Sequence, residues 1–176
     1  MTPTWRPLGA AALRCLPAAL RPWLADADSL TAALRRALGG ALDCMLLAHG
    51  WRAASEDEAR YLGLTPGSRL FWRRVRFSHA GHAGRALLIG HTLAPPAVLA
   101  ACPRLRRLGH RPVGELLFAD PAVRRERIEL AEPGSATLLS VPHALAARRA
   151  LVPVSRGRLL VTEHFLPAMR RLPRPC

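Results

Sequence analysis

The sequence predicts an α+β domain built on one antiparallel sheet of about six strands. Residues 69–77 and 85–94 are strand patterns joined by a connection that contains Gly and His, which indicates an antiparallel hairpin. Helix patterns precede and follow this hairpin, and further strand patterns come near the C-terminus. A chain of 176 residues with 50 % hydrophobic content has the size of one domain and buries a proper core.

The first clear helix begins after Ser29. Leu30, Leu34 and Leu38 recur at four-residue spacing, which gives the helix one apolar side. Ser29 is suited to the N-cap and the glycines at 39–40 to the stop.

A strand and a second capped helix follow. Residues 42–52 form an apolar run that predicts a strand. Ser55 and Glu58 then have the spacing of a capping box, and Gly63 ends a short helix.

The second half of the chain continues the alternation of helices and strands. Residues 95–109 predict a helix that opens with prolines, and 111–121 a second short helix. Residues 124–132 predict a strand and 133–143 a flexible segment, whereas the pattern of 144–155 is mixed.

The N-terminal stretch carries the weakest structural signal. Its apolar run is interrupted by Arg14 and Arg21, so neither a secretory segment nor a membrane span is predicted. We expect a cytoplasmic protein with an N-terminal segment of uncertain order at 1–21 and one folded domain at 22–176.

The charge is strongly positive but favours no single partner class. The net charge is +14, and all 26 basic residues are arginine, which indicates a coding bias. The arginines are dispersed and aromatic content is 5 %, so a surface for stacking nucleic-acid bases is not indicated. A positive field favours small anions, and an acidic metabolite fits it as well as a phosphate backbone does.

The cysteines and histidines show no metal-binding spacing. Cys15, Cys44, Cys102 and Cys176 are far apart and predict free thiols in a reducing compartment. The seven histidines form no helical ligand motif. We therefore expect no metal.

The last strand pattern, "RGRLLVTEHFLPA" at 156–168, places Glu163 on an apolar face with Leu159, Val161 and Phe165. A bulge at His164 would turn this carboxylate outward. Otherwise Glu163 is a buried acid that requires partners, because an unpaired carboxylate is costly in an apolar interior.

Six segments in order resemble the chorismate lyases, which form 4-hydroxybenzoate and pyruvate from chorismate. They are "SLT", "FWRRV", "LLIGHTLAP", "LGHRPVGELLF", "AARR" and "GRLLVTEHFLPA", and the resemblance covers residues 22–168. It implies a monomeric lyase without a cofactor that feeds ubiquinone biosynthesis. It also implies an internal, water-excluding ligand site covered by helical flaps, one of them at 95–119.

The resemblance also implies the site residues. Glu163 and Arg74 carry over as the catalytic pair that contacts the ligand, with Arg73 or Arg76 replacing Arg74 if the strand register differs. A family Arg is His91 here, so the resemblance leaves His91 either beside a carboxylate or in the core.

Leu30, Val113 and Gly90 are expected as pocket walls, also from the resemblance. Arg74 is suited to the ring carboxylate because a guanidinium holds both oxygens and stays charged when desolvated. Glu163 could accept a hydrogen bond from the ring hydroxyl or act as acid or base.

Closed flaps would make release of 4-hydroxybenzoate the step that limits turnover.

The second function considered is a non-catalytic effector-binding domain with the same sheet, as in bacterial transcription regulators, because fold alone assigns no function. A nucleic-acid binder is the third.

Overall fold

The structure is a computed structural model that describes residues 4–26, 28–80, 85–120, 122–132 and 141–173. The strands within these ranges are β1 (Arg6–Pro7), β2 (Leu42–Ala53), β3 (Arg69–His79), β4 (Ala86–Ala94), β5 (Glu126–Ala131), β6 (Ala146–Val154) and β7 (Gly157–Phe165). These seven strands of the described ranges form one antiparallel sheet in the order β1-β5-β6-β7-β4-β3-β2. The predicted α+β class with an antiparallel sheet is confirmed. The sequence did not indicate the short β1 and gave no strand prediction for the segment that forms β6.

Short helices connect the strands and cover the sheet. In the described ranges they are α1 (Ala10–Arg14), α2 (Arg21–Ala25), α3 (Leu30–Ala37), α4 (Glu56–Leu62), α5 (Pro96–Ala101) and α6 (Val113–Leu117). The 3₁₀ segments of the same ranges are Ala18–Leu20, Pro103–Arg107 and Pro167–Arg171. The helix predicted over 95–109 is therefore split into α5 and a 3₁₀ segment.

The predicted helix caps are confirmed. The Ser29 side chain accepts a hydrogen bond from the Ala32 N–H at the start of α3. Ser55 and Glu58 form a reciprocal capping box on α4, and Gly63 ends that helix with φ of 72°. This left-handed conformation favours glycine because a side chain would be strained there.

The strand register separates two faces of the sheet. Val75 pairs with Gly90, Gly90 with Glu163, and Glu163 with Arg148, so these four residues form one row across β3, β4, β7 and β6. Directly paired residues of antiparallel strands point to the same side. We call the side that carries this row the site face.

The neighbouring row points the other way. Arg74 pairs with His91, His91 with Thr162, and Thr162 with Arg149. Because successive side chains of a strand alternate, this row lies on the opposite side, which we call the rear face.

Helices cover both faces. On the site face, α2 and α3 contribute Trp23, Leu24, Leu30 and Leu34 to a core cluster with Val75, Phe77 and Phe165 among others. The segment 96–117, which we call the flap, packs on the same face around Leu159 and Val161. On the rear face, α4 packs Tyr61 and Leu62 against the sheet.

Two segments of the second half of the chain had no helix or strand prediction. The mixed pattern at 144–155 contains β6, which is an interior strand with Ala146–Val152 buried throughout. A strand covered on both faces does not alternate between apolar and polar residues. Most of the segment predicted to be flexible, at 133–143, lies outside the described residues.

The N-terminal stretch takes part in the core from α1 onward. Ala12, Leu16 and Leu20 are each no more than 7 % exposed and belong to the core cluster beneath α2 and α3. In the described ranges no helix is both long and apolar enough to cross a membrane.

Candidate active site

Glu163 lies in the middle of the site face and is 5 % exposed. Arg125, from the segment before β5, donates from Nη2 to Glu163 Oε1 at 2.8 Å. Arg148, on β6, donates from Nε to Glu163 Oε2 at 2.7 Å. Of the two interpretations that the sequence left open for Glu163, the structure shows the buried acid, and this acid has two charged partners.

These partners keep Glu163 ionised. Burial alone would raise the pKa of the Glu163 carboxyl, but the Arg125 and Arg148 guanidinium groups offset burial and hold that pKa below its ordinary value. In this state Glu163 accepts hydrogen bonds and has no proton to donate.

Arg148 also fixes the end of α2. It is 0 % exposed, and its Nη1 donates to the carbonyl oxygens of Trp23 at 3.1 Å and Leu24 at 3.3 Å, and to that of Asp26. The last carbonyls of a helix have no partner within the helix, so a buried guanidinium satisfies them. The position of Glu163 is thereby tied to the N-terminal segment.

A narrow cavity opens beside Glu163. Its lining comes from the sheet, α3, the flap and the segment before β5: Leu30, Thr31, Leu34, Val75, Phe77, Leu88, Val113, Gly114, Leu117, Phe118, Arg125, Val161 and Glu163. Its volume of about 30 Å³ holds one or two water molecules. A ring compound enters only if the flap moves away from α3.

The structure brings four of the predicted site residues together. Glu163, Leu30 and Val113 line the cavity, and Gly90 lies between Glu163 and Val75 in the same row of the sheet. A Cβ at Gly90 would approach Val75 Cγ2 to 3.1 Å, so glycine lets the neighbouring side chains close over this row.

Arg74 and His91 do not join this group. Both lie in the row of the rear face, one residue out of phase with Glu163. This corrects the expectation that Arg74 contacts the same ligand as Glu163, because the sheet separates the two side chains. The alternative cation at Arg76 is excluded in the same way, since it pairs with Ile89 and shares the parity of Arg74.

His91 belongs to a cluster on the rear face. Its ring lies 5.1 Å from that of His164, centroid to centroid. Burial, followed by the positive surroundings that include His164 and Arg74, lowers the pKa of His91 to about 3. His91 is therefore neutral at physiological pH and lies on the wrong face for the expected contact with a ligand carboxylate.

Arg73 is the buried cation of β3 that lies on the site face. It is 3 % exposed, and its Nη2 donates to the flap carbonyls of Gly109 at 2.7 Å and Arg111 at 2.6 Å. Among the described residues, Nε and Nη1 of Arg73 have no hydrogen-bond acceptor beyond the nearby Cys44 thiol, which accepts only weakly. Arg73 thus links β3 to the flap on the site face.

Sequence reasoning missed Arg125 and Arg148. Arg125 stands in "VRRERIEL", where nothing distinguishes it from its basic neighbours. Arg148 could have been found, because it is the charged residue among Ala146, Ala150 and Val152 on one strand face. A buried charge in such a row requires a partner, and Glu163 provides it.

Possible metal ligands and the cysteine thiols are the next groups to consider. Within the described ranges, no set of three or more His, Cys, Asp or Glu side chains is arranged to hold a metal ion. Cys15, Cys44 and Cys102 are free thiols, and Cys176 lies outside the described residues.

The fold and the site define a class of protein: an α+β domain with a small covered cavity, beside which a buried carboxylate is held between two guanidinium groups. Comparison with known proteins identifies the family. The chain belongs to the chorismate lyase family, whose model matches residues 2–172.

Relatives of similar length support the family assignment. A probable chorismate pyruvate-lyase of Azoarcus sp. is 36 % identical over 167 residues, which cover 88 % of this chain and 87 % of the relative. One of Chromohalobacter salexigens is 36 % identical over 170 residues, or 95 % and 90 % of the two chains. One of Aromatoleum aromaticum is 34 % identical over 172 residues, or 90 % of each chain.

A solved structure shares the architecture. The crystal structure of the PhnF C-terminal domain superposes with a TM-score of 0.53, covering 72 % of this chain and 83 % of that one. Its sequence identity of 21 % limits the likeness to the fold.

Proposed function

We propose that this protein is a chorismate lyase that converts chorismate to 4-hydroxybenzoate and pyruvate and so supplies 4-hydroxybenzoate for ubiquinone biosynthesis. Membership of the family supports the reaction class, carbon–oxygen bond cleavage without hydrolysis. The observation that carries the proposal is the buried Glu163, held ionised between Arg125 and Arg148 beside a covered cavity on the face that also bears Arg73.

The charges of the site match those of the substrate. Arg73, Arg125 and Arg148 contribute three positive charges to the site face and Glu163 one negative charge. The remaining charge of about +2 offsets the two carboxylates of chorismate. A closed, dry pocket requires such a balance, because an unpaired charge is costly to desolvate.

Arg73 is the residue we assign to the ring carboxylate, in place of Arg74. Among the described residues, its Nε and Nη1 have no acceptor other than the Cys44 thiol, and Nη1 would donate to one carboxylate oxygen while the positive charge of the guanidinium attracts the carboxylate as a whole. Its third nitrogen already holds the flap at Gly109 and Arg111, so ligand binding and flap closure would use one side chain.

Glu163 is assigned an orienting role. As an ionised acceptor, it would accept a hydrogen bond from the ring hydroxyl that becomes the phenol of the product. Cleavage of the ring–ether bond and loss of the hydrogen from the hydroxyl-bearing carbon make the ring aromatic. That hydrogen ends on the methyl group of pyruvate, so atoms balance without water or a redox partner.

The test is product formation by the purified protein. Chorismate is mixed with the protein, and 4-hydroxybenzoate is followed by absorbance and chromatography. If the well-folded protein forms no product, the alternative function, a non-catalytic effector-binding domain, would be favoured.

Two neighbouring arginines provide a matched pair of variants. Arg73→Gln should lower kcat/KM by about 100-fold or more, because a charged donor to the substrate is lost. Arg74→Gln, one residue away on the rear face, should change kcat/KM by no more than about threefold. Equal losses in both variants would contradict the assignment of Arg73.

The remaining features of the proposal follow from the family. We propose a cytoplasmic monomer that uses no cofactor and no nucleic-acid partner, with residues 22–176 as its lyase domain. Light scattering after size exclusion tests the monomer, and activity that withstands dialysis against a chelator tests the absence of a metal.

A further inference from the structure

We propose that Arg125 binds the second carboxylate of the substrate, on the enolpyruvyl ether, and thereby makes the pocket selective for a dianion. This inference rests on the proposed function. It assigns to Arg125 the carboxylate contact that the family resemblance suggested for His91. It would make Arg125 a specificity-determining residue in addition to its contact with Glu163.

The Arg125 side chain is held rigidly with one nitrogen unused. It is 3 % exposed, Nη2 donates to Glu163, and Nε donates to the Asp28 carbonyl at 3.4 Å. Its guanidinium lies 5.2 Å from the centroid of the Phe118 ring. Nη1 is buried without a hydrogen-bond partner in the described ranges, and Arg125 lines the cavity beside Glu163.

The other two arginines of the site face do not fill this role. Arg148 uses Nε for Glu163 and Nη1 for three carbonyls of the N-terminal segment, and its Nη2 lies 2.7 Å from Glu163 Oε2 without hydrogen-bond geometry. Unlike Arg125, Arg148 is not among the described residues that line the cavity. Arg73 lies two strands and two residues away from Glu163 in the sheet. With ideal sheet spacings, the Cα atoms of these two residues are about 12 Å apart.

The functional groups of chorismate are arranged in the same way as Glu163, Arg125 and Arg73 are in the site. Its ring hydroxyl and its ether occupy adjacent carbons, whereas the ring carboxylate lies across the ring from the hydroxyl. With the hydroxyl on Glu163, the ether side chain lies beside Arg125, which is bonded to Glu163. The ring carboxylate then points away from this pair, towards Arg73.

The experiment compares two ligands that differ in one carboxylate. 3-(Carboxymethoxy)-4-hydroxybenzoate carries the second carboxylate in the position of the ether side chain, and 3-ethoxy-4-hydroxybenzoate is of similar size without it. We expect the wild-type protein to bind the dianion about tenfold tighter or more by calorimetry. Equal affinities in the wild-type protein would overturn the proposal, whatever the variants do.

Variants separate binding from positioning. Arg125→Gln should abolish the preference for the dianion and change the affinity for the ethoxy compound far less. If Arg125 only positioned Glu163, both ligands would weaken alike because both carry the hydroxyl, and that result would overturn the proposal. Arg124→Gln, at the exposed neighbouring position, should leave the preference unchanged.

A charge-preserving variant covers the case in which Arg125→Gln does not fold. Arg125→Lys keeps the positive charge but has one nitrogen, which cannot serve Glu163 and a ligand in the same forked geometry. Its preference for the dianion should fall, and an undiminished preference would count against the proposal. A wild-type protein that prefers the dianion yet forms no product from chorismate would overturn the proposed reaction and leave the role of Arg125 standing.

Discussion

At the scale of single residues, the buried charges of the site depend on one another. Glu163 is surrounded by apolar side chains and is tolerated there because two guanidinium groups neutralise it. Arg125 and Arg148 depend on Glu163 in turn, because the side chains of both arginines are nearly inaccessible to water. Loss of Glu163 leaves two buried guanidinium groups without a counter-charge, whereas loss of either arginine leaves Glu163 with the other one.

Glu163→Gln is therefore expected to reduce stability as well as activity. The amide keeps the shape of the side chain but leaves two buried guanidinium groups facing each other. Breaking a buried ion pair costs about 3–5 kcal/mol, which urea unfolding would detect as a lower midpoint at unchanged slope. Glu126→Gln, in the exposed pair with Arg158, is the control and should cost less than about 1 kcal/mol. Equal costs for the two variants would contradict the ion cluster.

His91 predicts a pH dependence of stability. Its pKa in the folded protein is about 3, below the ordinary value of 6.5, so the unfolded chain binds more protons between these limits. Stability contributed by neutral His91 is fully present above about pH 6.5 and is lost as the pH falls towards 3.

The measurement is unfolding of His91→Asn at several pH values. The variant should lose about 1–3 kcal/mol less than the wild-type protein between pH 6.5 and pH 4.5, because it lacks the group that takes up the proton on unfolding. His110→Asn, on the exposed flap loop, is the comparison. Parallel pH profiles of His91→Asn and the wild-type protein would show that His91 does not resist protonation.

At the scale of elements, the flap and α3 close the cavity between them. The backbone of Gly114, in α6, approaches α3 so closely that a Cβ would lie 2.9 Å from Thr31 Oγ1. An ion pair between Arg35 of α3 and Glu115 of α6 lies on the outer side of the same contact. With a cavity of about 30 Å³, substrate entry and product exit both require this contact to open.

Gly114→Ala tests whether this contact retains the product. The added methyl group pushes α6 away from Thr31, so the flap closes less completely and 4-hydroxybenzoate leaves faster. We expect inhibition by 4-hydroxybenzoate to weaken by about tenfold, measured from inhibition constants in steady-state assays. Gly9→Ala is the control, since a Cβ there has no atom within 4 Å. Unchanged inhibition in Gly114→Ala would mean that the flap does not control release.

The elements also show what the sequence could and could not predict. The caps of α3 and α4 are local signals, and both helices begin where their N-cap serines predicted. The face of Arg73 and Arg74 depends on pairing with distant strands. Both faces of this sheet are covered by apolar packing, so alternation alone did not show which of the two adjacent arginines shares a face with Glu163.

At the scale of the whole molecule, part of the positive charge is structural. Arg73, Arg148 and Arg149 are each at most 5 % exposed. On the rear face, Arg149 pairs with Asp57 and Glu129 and stacks between the rings of Trp5 and Tyr61, which ties the N-terminal stretch to the sheet. Counting arginines therefore overstates the charge that is offered to a macromolecular partner.

The remaining surface charge still acts on a small dianion at long range. The net charge of +14 surrounds the pocket with a positive field, which speeds encounter with chorismate but is screened by salt. The screening length falls from about 30 Å at 0.01 M to about 8 Å at 0.15 M ionic strength. Once the flap has closed, the ligand is separated from the solution, and its contacts are screened much less.

Salt should therefore affect capture of the substrate more than turnover. Raising the ionic strength from 0.01 M to 0.15 M should lower kcat/KM by several-fold while kcat changes by less than about twofold, measured in chloride with viscosity held constant. In the proposed site, the rate of product release enters kcat but depends on the buried contacts of Arg73, Glu163 and the flap. A parallel fall of kcat and kcat/KM would instead place the bound ligand in a solvent-exposed cleft, which the closed site face does not allow.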